Sequence, residues 1–495
     1  LWSYIVFVGS LSLSISAYRL SPFHPLAQYP GPAIGKVTKL WGLWKASKGY
    51  KYLYFKELHD TYGAYVRTGK SSPNELSIID ASAIYPILNF GGLEKGRYYE
   101  SGRHSATPPS IVCLSGEAHT AKRRVWNRAM TSAAQREYEP LVARRAGQLV
   151  ERLREQKGPL DFVKWIDLFS MDLMGDLAFG GGFEMLHCGA DFDGVGERIR
   201  GYMKATHLAS QIPWIVSTLH LLPQVGREIQ DFNDFGRNLA MRRMKNGAVA
   251  GRMDLWYHLA DEPGLEGTRP SLETCAADGI VAVVAATDTV ASTLTSLVWF
   301  LLSHREYYMR VQREVDSVVD DDTSEVNVEN HKESKFLDAC MSETLRLHPP
   351  LPTNGTRQVH LHQPGRSIAG RYIPPGTSVY TPAYSLHRNP AYFSPHPDEF
   401  HPERWLPEQN LEFDKHDTTA FLPFSLGPAN CVGQKFAQRE IFRVVCTLFK
   451  AFEMRLASKS DNGLDVDACK WPGEMRDFFV FTRGALWVEL TPRNW

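Results

Sequence analysis

The residues best suited to chemistry in this chain form one short run, Phe424-Ser-Leu-Gly427-Pro-Ala-Asn-Cys431-Val-Gly433. Glycines at 427 and 433 permit a tight loop and a close backbone approach to a flat ligand. A good helical run follows from 434 to 450, so Cys431 stands just before a helix start. Unpaired backbone N–H groups and the helix dipole there favour a thiolate. Such a thiolate can ligate iron, with Phe424 beside it. Taken alone, the loop equally suits a buried core cysteine, which behaves as a small apolar residue.

The elements that must position this loop are mostly helical. Helical periodicity dominates from 141 to 347, while strand-like patterns occur at 64–68, 75–79, 367–373, 378–381 and 478–490. The layout predicts a mainly α fold with a small β-sheet region built from both ends of the chain. The longest apolar stretch, about 274–304, contains Asp278 and Asp288 and a polar series from Thr287 to Ser296. A charge at mid-bilayer is expensive, so a buried helix with a polar notch is the better account than a membrane span.

With 495 residues, 43% apolar and 22% charged, the chain has the balance of a folded globular protein. Its 55 basic and 55 acidic residues cancel, which leaves no global field for gripping nucleic acid. The seven cysteines are odd in number and contain no Cys-x-x-Cys, arguing against a disulfide framework or zinc cluster and for a reducing compartment. Residues 1–17 carry no charge and precede Arg19, so residues 1–20 read as a membrane anchor. The proline-rich stretch 21–36 reads as a stiff, extended hinge. Residues 37–495 then form one catalytic domain.

The Phe-x-x-Gly-x-x-x-Cys-x-Gly spacing resembles the haem-binding loop of the cytochrome P-450 family, whose cysteine is the proximal iron ligand. One departure is Ala429, where many members carry a basic residue. Glu343-Thr-Leu-Arg346 resembles the family's Glu-x-x-Arg motif. That spacing recurs at six other places here, so the Leu-His-Pro-Pro after it and the later Pro402-Glu-Arg404-Trp405 single it out. Ala285-Ala286-Thr287-Asp288-Thr289-Val290 resembles the oxygen-activation segment, with Ala286 in place of the usual glycine. Gly116-Glu-Ala-His119-Thr-Ala-Lys-Arg123 resembles a helix whose aromatic and arginine reach a propionate.

The resemblance implies a P-450-like fold with one long central helix over haem b. It implies Cys431 as metal ligand, with Phe424, Gly427, Gly433, His119, Arg123 and Arg357 holding the cofactor. It implies Asp288 and Thr289 as a catalytic proton relay, and Glu343, Arg346 and Arg404 as a buried structural lock. Val281, Ala285 and Ala286 would border the substrate, with further lining from 91–113, 202–222, 351–356 and 475–479. The implied activity is insertion of one oxygen atom of O₂ into a lipophilic small molecule, a terpenoid or other secondary metabolite. Electrons would come from NADPH through a separate reductase, with cytochrome b5 as a second partner, because no flavin-like domain or Gly-x-Gly-x-x-Gly is present. A basic cluster of Lys122, Arg123, Arg124, Arg128, Lys435 and Arg439 is a candidate docking face for that donor. The implied location is the endoplasmic reticulum membrane, catalytic domain towards the cytosol, and the form of the motifs looks fungal. Two rivals are a haem-thiolate isomerase or dehydratase working without external electrons, and a non-catalytic haem-binding protein.

Overall fold

The computed structural model describes residues 1–38, 40–69, 74–100, 108–212, 223–247, 253–319, 326, 333–408, 413, 415–457 and 468–493. Helix α1 (Trp2–Leu20) is apolar around its whole circumference and buries none of its residues against the protein. At 1.5 Å per residue its 19 residues reach about 28 Å, close to the hydrocarbon thickness of a bilayer. A helix with that exposed apolar surface is consistent with a membrane anchor.

The segment after α1 differs from the expected extended spacer. It runs in turns and folds back on the domain, with Leu26 and Tyr29 each 1% exposed. The Tyr29 hydroxyl donates to Tyr372 O at 2.9 Å, and Pro30 O accepts from Arg67 N at 2.7 Å. Proline excludes a helix here, but it also suits turns, and the apolar residues between the prolines have a sheet to cover.

Seven further helices place the site: α2 (Gly116–Ala129), α3 (Ser132–Arg154), α4 (Phe162–Phe179), α5 (Val195–Ser210), α6 (Leu272–Ser303), α7 (Lys335–Leu347) and α8 (Gln434–Ala451). Helix α6 starts where Ser271 accepts a hydrogen bond from Thr274 N, and its 32 residues extend about 48 Å through the domain. It packs on α4, α7 and α8. Leu294, Leu297, Val298 and Leu301 of α6 join Phe169 and Leu173 of α4 and Val444, Val445 and Leu448 of α8 in one core, all fully or almost fully buried. Several polar residues of α6 find partners: Thr293 donates to Thr289 O at 2.9 Å, Thr295 to Ala291 O at 2.7 Å, and Ser296 Oγ lies 3.2 Å from His348 Nδ1, whereas the buried Thr287 and Ser292 hydroxyls have none among the described residues. Such bonds are how a core helix carries polar groups.

The largest sheet draws on both ends of the chain. Its order is Tyr65–Arg67, Glu75–Ile78, Ser378–Tyr380, Arg357–Gln358, Glu94–Lys95, with Glu75–Ile78 and Ser378–Tyr380 parallel. Two strand expectations resolve differently. Residues 367–373 form a hairpin of Arg366–Ile368 and Arg371–Ile373. The 478–490 run divides into a hairpin of Arg476–Phe478 with Val480–Thr482 and a separate strand, Trp487–Pro492, in another sheet. The break is at Phe479, which has φ +84° and donates its N–H to Asp477 Oδ1 at 3.0 Å. No glycine marks that reversal.

Candidate active site

The cysteine loop is closed by its own backbone. Cys431 N donates to Phe424 O at 2.8 Å and Asn430 N to Gly427 O at 3.1 Å. Gly427 has φ +73°, and a Cβ there would lie 2.4 Å from Leu88 O. Its lack of a side chain therefore serves the docking of the loop onto residues 88–89. Gly433 does border open space and caps α8.

The Cys431 thiol is accessible, although protein surrounds it closely enough to perturb its ionisation. Burial pushes its pKa up, and the Gly433 N–H and the Arg123 charge only partly oppose this. The helix start therefore does not by itself make a thiolate. Burial outweighs it.

Helix α2 clamps the cysteine loop to α6. Lys122 Nζ lies 2.5 Å from Asp278 Oδ2 on α6, and that carboxylate is buried. One position on, Arg123 donates to Asn430 O at 2.6 Å, Asn430 Oδ1 at 2.7 Å and Pro428 O at 3.3 Å, and to Asn127 at 2.9 Å. Much of the Arg123 fork is thus spent bracing the loop that carries Cys431.

Around it lie the other positive groups. Burial, followed by the charges of Lys95, Arg123 and Arg357, lowers the pKa of His119 to about 4. Burial and then Arg357 lower Lys95 to about 8. None of Lys95, Arg123 and Arg357 pairs with a carboxylate among the described residues. Lys95 was not singled out from the sequence; it joins the cluster because it stands opposite Arg357 across the sheet.

Three of the six residues of the candidate basic docking face are paired with carboxylates. Lys122 is tied to Asp278, and Arg124 and Arg128 both pair with Glu266, at 2.5 and 2.6 Å.

On α6, Ala285 is exposed although Ala282, Val283 and Thr287 around it are buried, so the helix has an open face at its middle. Val281, Ala286 and Thr289 are half-buried there. The Thr289 hydroxyl donates to Ala285 O at 2.7 Å. Asp288 is one residue away and so about 100° round the helix. It lines a cavity of about 450 Å³ with Asp167, Arg200, Thr482 and Arg483. Burial raises its pKa to about 6, with Arg483 opposing. The structure therefore does not bring the acid and the hydroxyl onto one hydrogen bond. Of the lining segments expected for substrate, residues 101–107 and 213–222 lie outside the described residues.

Beneath the loop, Glu343, Arg346 and Arg404 form one fully buried cluster. Glu343 accepts from Arg346 Nε and NH2, both at 2.8 Å, from Arg404 Nε at 3.0 Å, from Trp405 Nε1 at 2.9 Å and from His401 N at 3.0 Å. Burial alone would raise the Glu343 pKa, but Arg346 and then Arg404 hold it below the ordinary value. The cluster reaches the cysteine loop through His387: its carbonyl accepts from Arg346 at 2.9 Å and its Nε2 accepts from Leu422 N at 2.8 Å, two residues before Phe424.

The fold is mostly helical, and Cys431 is an exposed thiol directly before a long helix, an arrangement that suits a haem-thiolate class of site. Comparison agrees: the family described as Cytochrome P450 matches residues 29–466. The chain is 30% identical to averantin hydroxylase of Dothistroma septosporum, over 99% of this chain and 92% of that protein. It is 31% identical to the cytochrome P450 monooxygenase FCK2 of Fusarium pseudograminearum, over 98% and 85%. It is 29% identical to tryprostatin B 6-hydroxylase of Aspergillus fumigatus, over 99% and 84%. The chain belongs to the cytochrome P450 family and is a monooxygenase, an oxidoreductase that uses haem iron.

The residues present fit that cofactor. Cys431 belongs to no cluster of three metal-binding side chains among the described residues, and one protein donor is what a porphyrin-held iron requires. The cations at 95, 123 and 357, short of carboxylates, suit an anionic ligand with carboxylate arms.

Proposed function

We propose that this chain hydroxylates a lipophilic secondary metabolite with O₂, taking electrons from NADPH through a separate reductase, with haem b as cofactor. The observation that carries this reading is the accessible Cys431 thiol before helix α8, with Arg123 acting on it from a cluster of cations that have no carboxylate partner among the described residues. The names of the relatives, hydroxylases of averantin and of tryprostatin B, support an organic small molecule as substrate. The exposed helix α1 supports attachment to a membrane, which we assign to the endoplasmic reticulum with the domain on the cytosolic side.

In this reading Cys431 is the sole protein ligand of the haem iron. When bound, the haem supplies oxygen activation, and thiolate ligation favours O–O cleavage. The chain does the rest. Lys95, Arg357 and His119 hold the propionates, and Arg123 divides its donors between them and the loop at 428–430. Phe424 and Gly433 flank the sulfur. Ala285 and Ala286 leave room at the middle of α6, and Val281 extends the apolar wall for substrate. Thr289 presents its hydroxyl at the open face and is the last proton donor. Asp288, able to hold or release a proton near pH 6, faces the polar cavity and takes protons up on that side. Proton movement between them requires a water or a rotamer change, since their side chains diverge. Glu343, Arg346 and Arg404 fix the platform under the loop.

The test is turnover of the reconstituted protein with reductase, NADPH and isotopically labelled O₂ against a panel of lipophilic metabolites. The reading predicts product carrying one labelled oxygen, dependent on NADPH and reductase. Turnover that persists without either would favour the isomerase class instead.

A further inference from the structure

The loop that holds the buried lock has a second, outward face. On its inner side, Pro397 O and Glu399 O accept from Arg346 at 2.5 and 3.0 Å. Pro395 O and His396 O accept from Arg404 at 3.3 and 3.2 Å, and His401 N donates to Glu343. The backbone from 395 to 401 is therefore pinned to the lock by its own polar groups.

The side chains of the same loop converge outside it. His396 Nδ1 lies 3.1 Å from Glu399 Oε1, and His401 Nε2 lies 3.3 Å from Glu399 Oε2. One donor atom from each residue falls within 4.8 Å of the others, and no other such trio occurs among the described residues. His396 and Glu399 are exposed and His401 is half-buried, so an ion reaches them directly from solvent.

We propose that His396, Glu399 and His401 form a binding site for a divalent transition-metal ion, zinc being the ion their donor set suits best. Two imidazoles and one carboxylate are a recognised zinc set, with water in the fourth position. Tetrahedral bonds of about 2.0–2.1 Å place donors roughly 3.4 Å apart. Each imidazole already lies near that spacing from one carboxylate oxygen, His396 from Oε1 and His401 from Oε2. Bringing all three donors onto one ion asks for a closure of little more than 1 Å at the widest, which is within reach of side-chain rotation at a surface. Calcium and magnesium are disfavoured, because they prefer oxygen ligands.

Binding would tie together the two ends of the loop whose carbonyls hold Arg346 and Arg404. An ion that binds only this folded geometry stabilises it by mass action. Occupancy would therefore be read in the lock and in retention of haem, without any ligand contact at Cys431. This inference does not depend on the substrate or electron source proposed above.

The test uses the full chain with its haem, stripped with a chelator and dialysed against zinc chloride. Zinc per chain is counted by elemental analysis, and thermal haem loss is followed in the Soret band. The wild type should retain one zinc more per chain than the double variant His396→Ala/His401→Ala. Zinc should raise the temperature of haem loss in the wild type only. Glu399→Gln keeps the backbone carbonyl that Arg346 uses, so it tests the site without disturbing the inner face, and it should also lose the added zinc. Equal zinc content in wild type and both variants, or an equal thermal shift, would overturn the proposal and leave the trio as a surface ion-pair cluster.

Discussion

Replacing Glu343 by glutamine removes one negative charge from a place where it faces two guanidinium groups and no water. The carboxylate accepts five hydrogen bonds, three of them from Arg346 and Arg404, and all three side chains are 0% exposed. An amide of the same shape turns an NH₂ group towards donors and leaves both arginines without a counter-charge. Breaking a buried ion pair from one side costs about 3–5 kcal/mol. Against a total stability on the order of 5–15 kcal/mol, that is roughly a fifth or more of what holds the fold. At about 1.4 kcal/mol per decade, it shifts the folding equilibrium by roughly two to three and a half decades. The assay is urea unfolding with haem retention read in parallel. The control is Glu453→Gln, which breaks an equally short but half-exposed pair with Arg305 at 2.6 Å and should cost about 0–1 kcal/mol. Equal midpoints for the two variants would refute the reasoning. The pH dependence has a fixed sign: because the folded pKa of Glu343 is depressed, its contribution is present above the ordinary glutamate range and lost as pH falls through the folded value.

Other outcomes follow from the same geometry. Asp288→Asn should stabilise the fold at neutral pH by about 2 kcal/mol after allowance for solvent screening, since burial raises that carboxyl to about 6. The gain should be absent below the unfolded pKa, grow through the interval up to about 6 and stay constant above it; a gain independent of pH would contradict the assignment. Thr289→Ala should leave haem content intact while NADPH consumption outruns product and hydrogen peroxide accumulates, and unchanged coupling would remove Thr289 from proton delivery. Lys95→Met should weaken haem affinity and, by removing one neighbouring charge, raise the pKa of His119, measurable by NMR titration; no change in either would exclude Lys95 from the cofactor cluster.

The parts of the fold legible in the sequence were those written in local pattern. The 32-residue helix α6 follows from a long apolar stretch, and its polar notch from Asp278 and Asp288. The lock residues carry their own signal, because Arg346 must be followed by a helix stop and Arg404 sits in a proline-flanked turn. What stayed hidden depends on residues distant in sequence. Lys95 gains meaning only from its register opposite Arg357, and Gly427 from the backbone of Leu88 and Asn89. Arg123 reads as a propionate ligand by its spacing to His119, yet its donors go largely to the loop at 428–430, a contact made across 305–307 residues. Spacing also made Asp288 and Thr289 neighbours, while helix geometry sends consecutive side chains in different directions. The turned segment after α1 was misjudged because proline content shows only that a helix is absent.

The central claim is that the Cys431 sulfur bonds the haem iron. The measurement that tests it most directly is the absorption spectrum of the reduced, carbon monoxide-treated protein, for wild type and Cys431→Ala. The account predicts the red-shifted Soret band of a thiolate-ligated complex in the wild type and its complete loss in the variant. The same band in Cys431→Ala would contradict it.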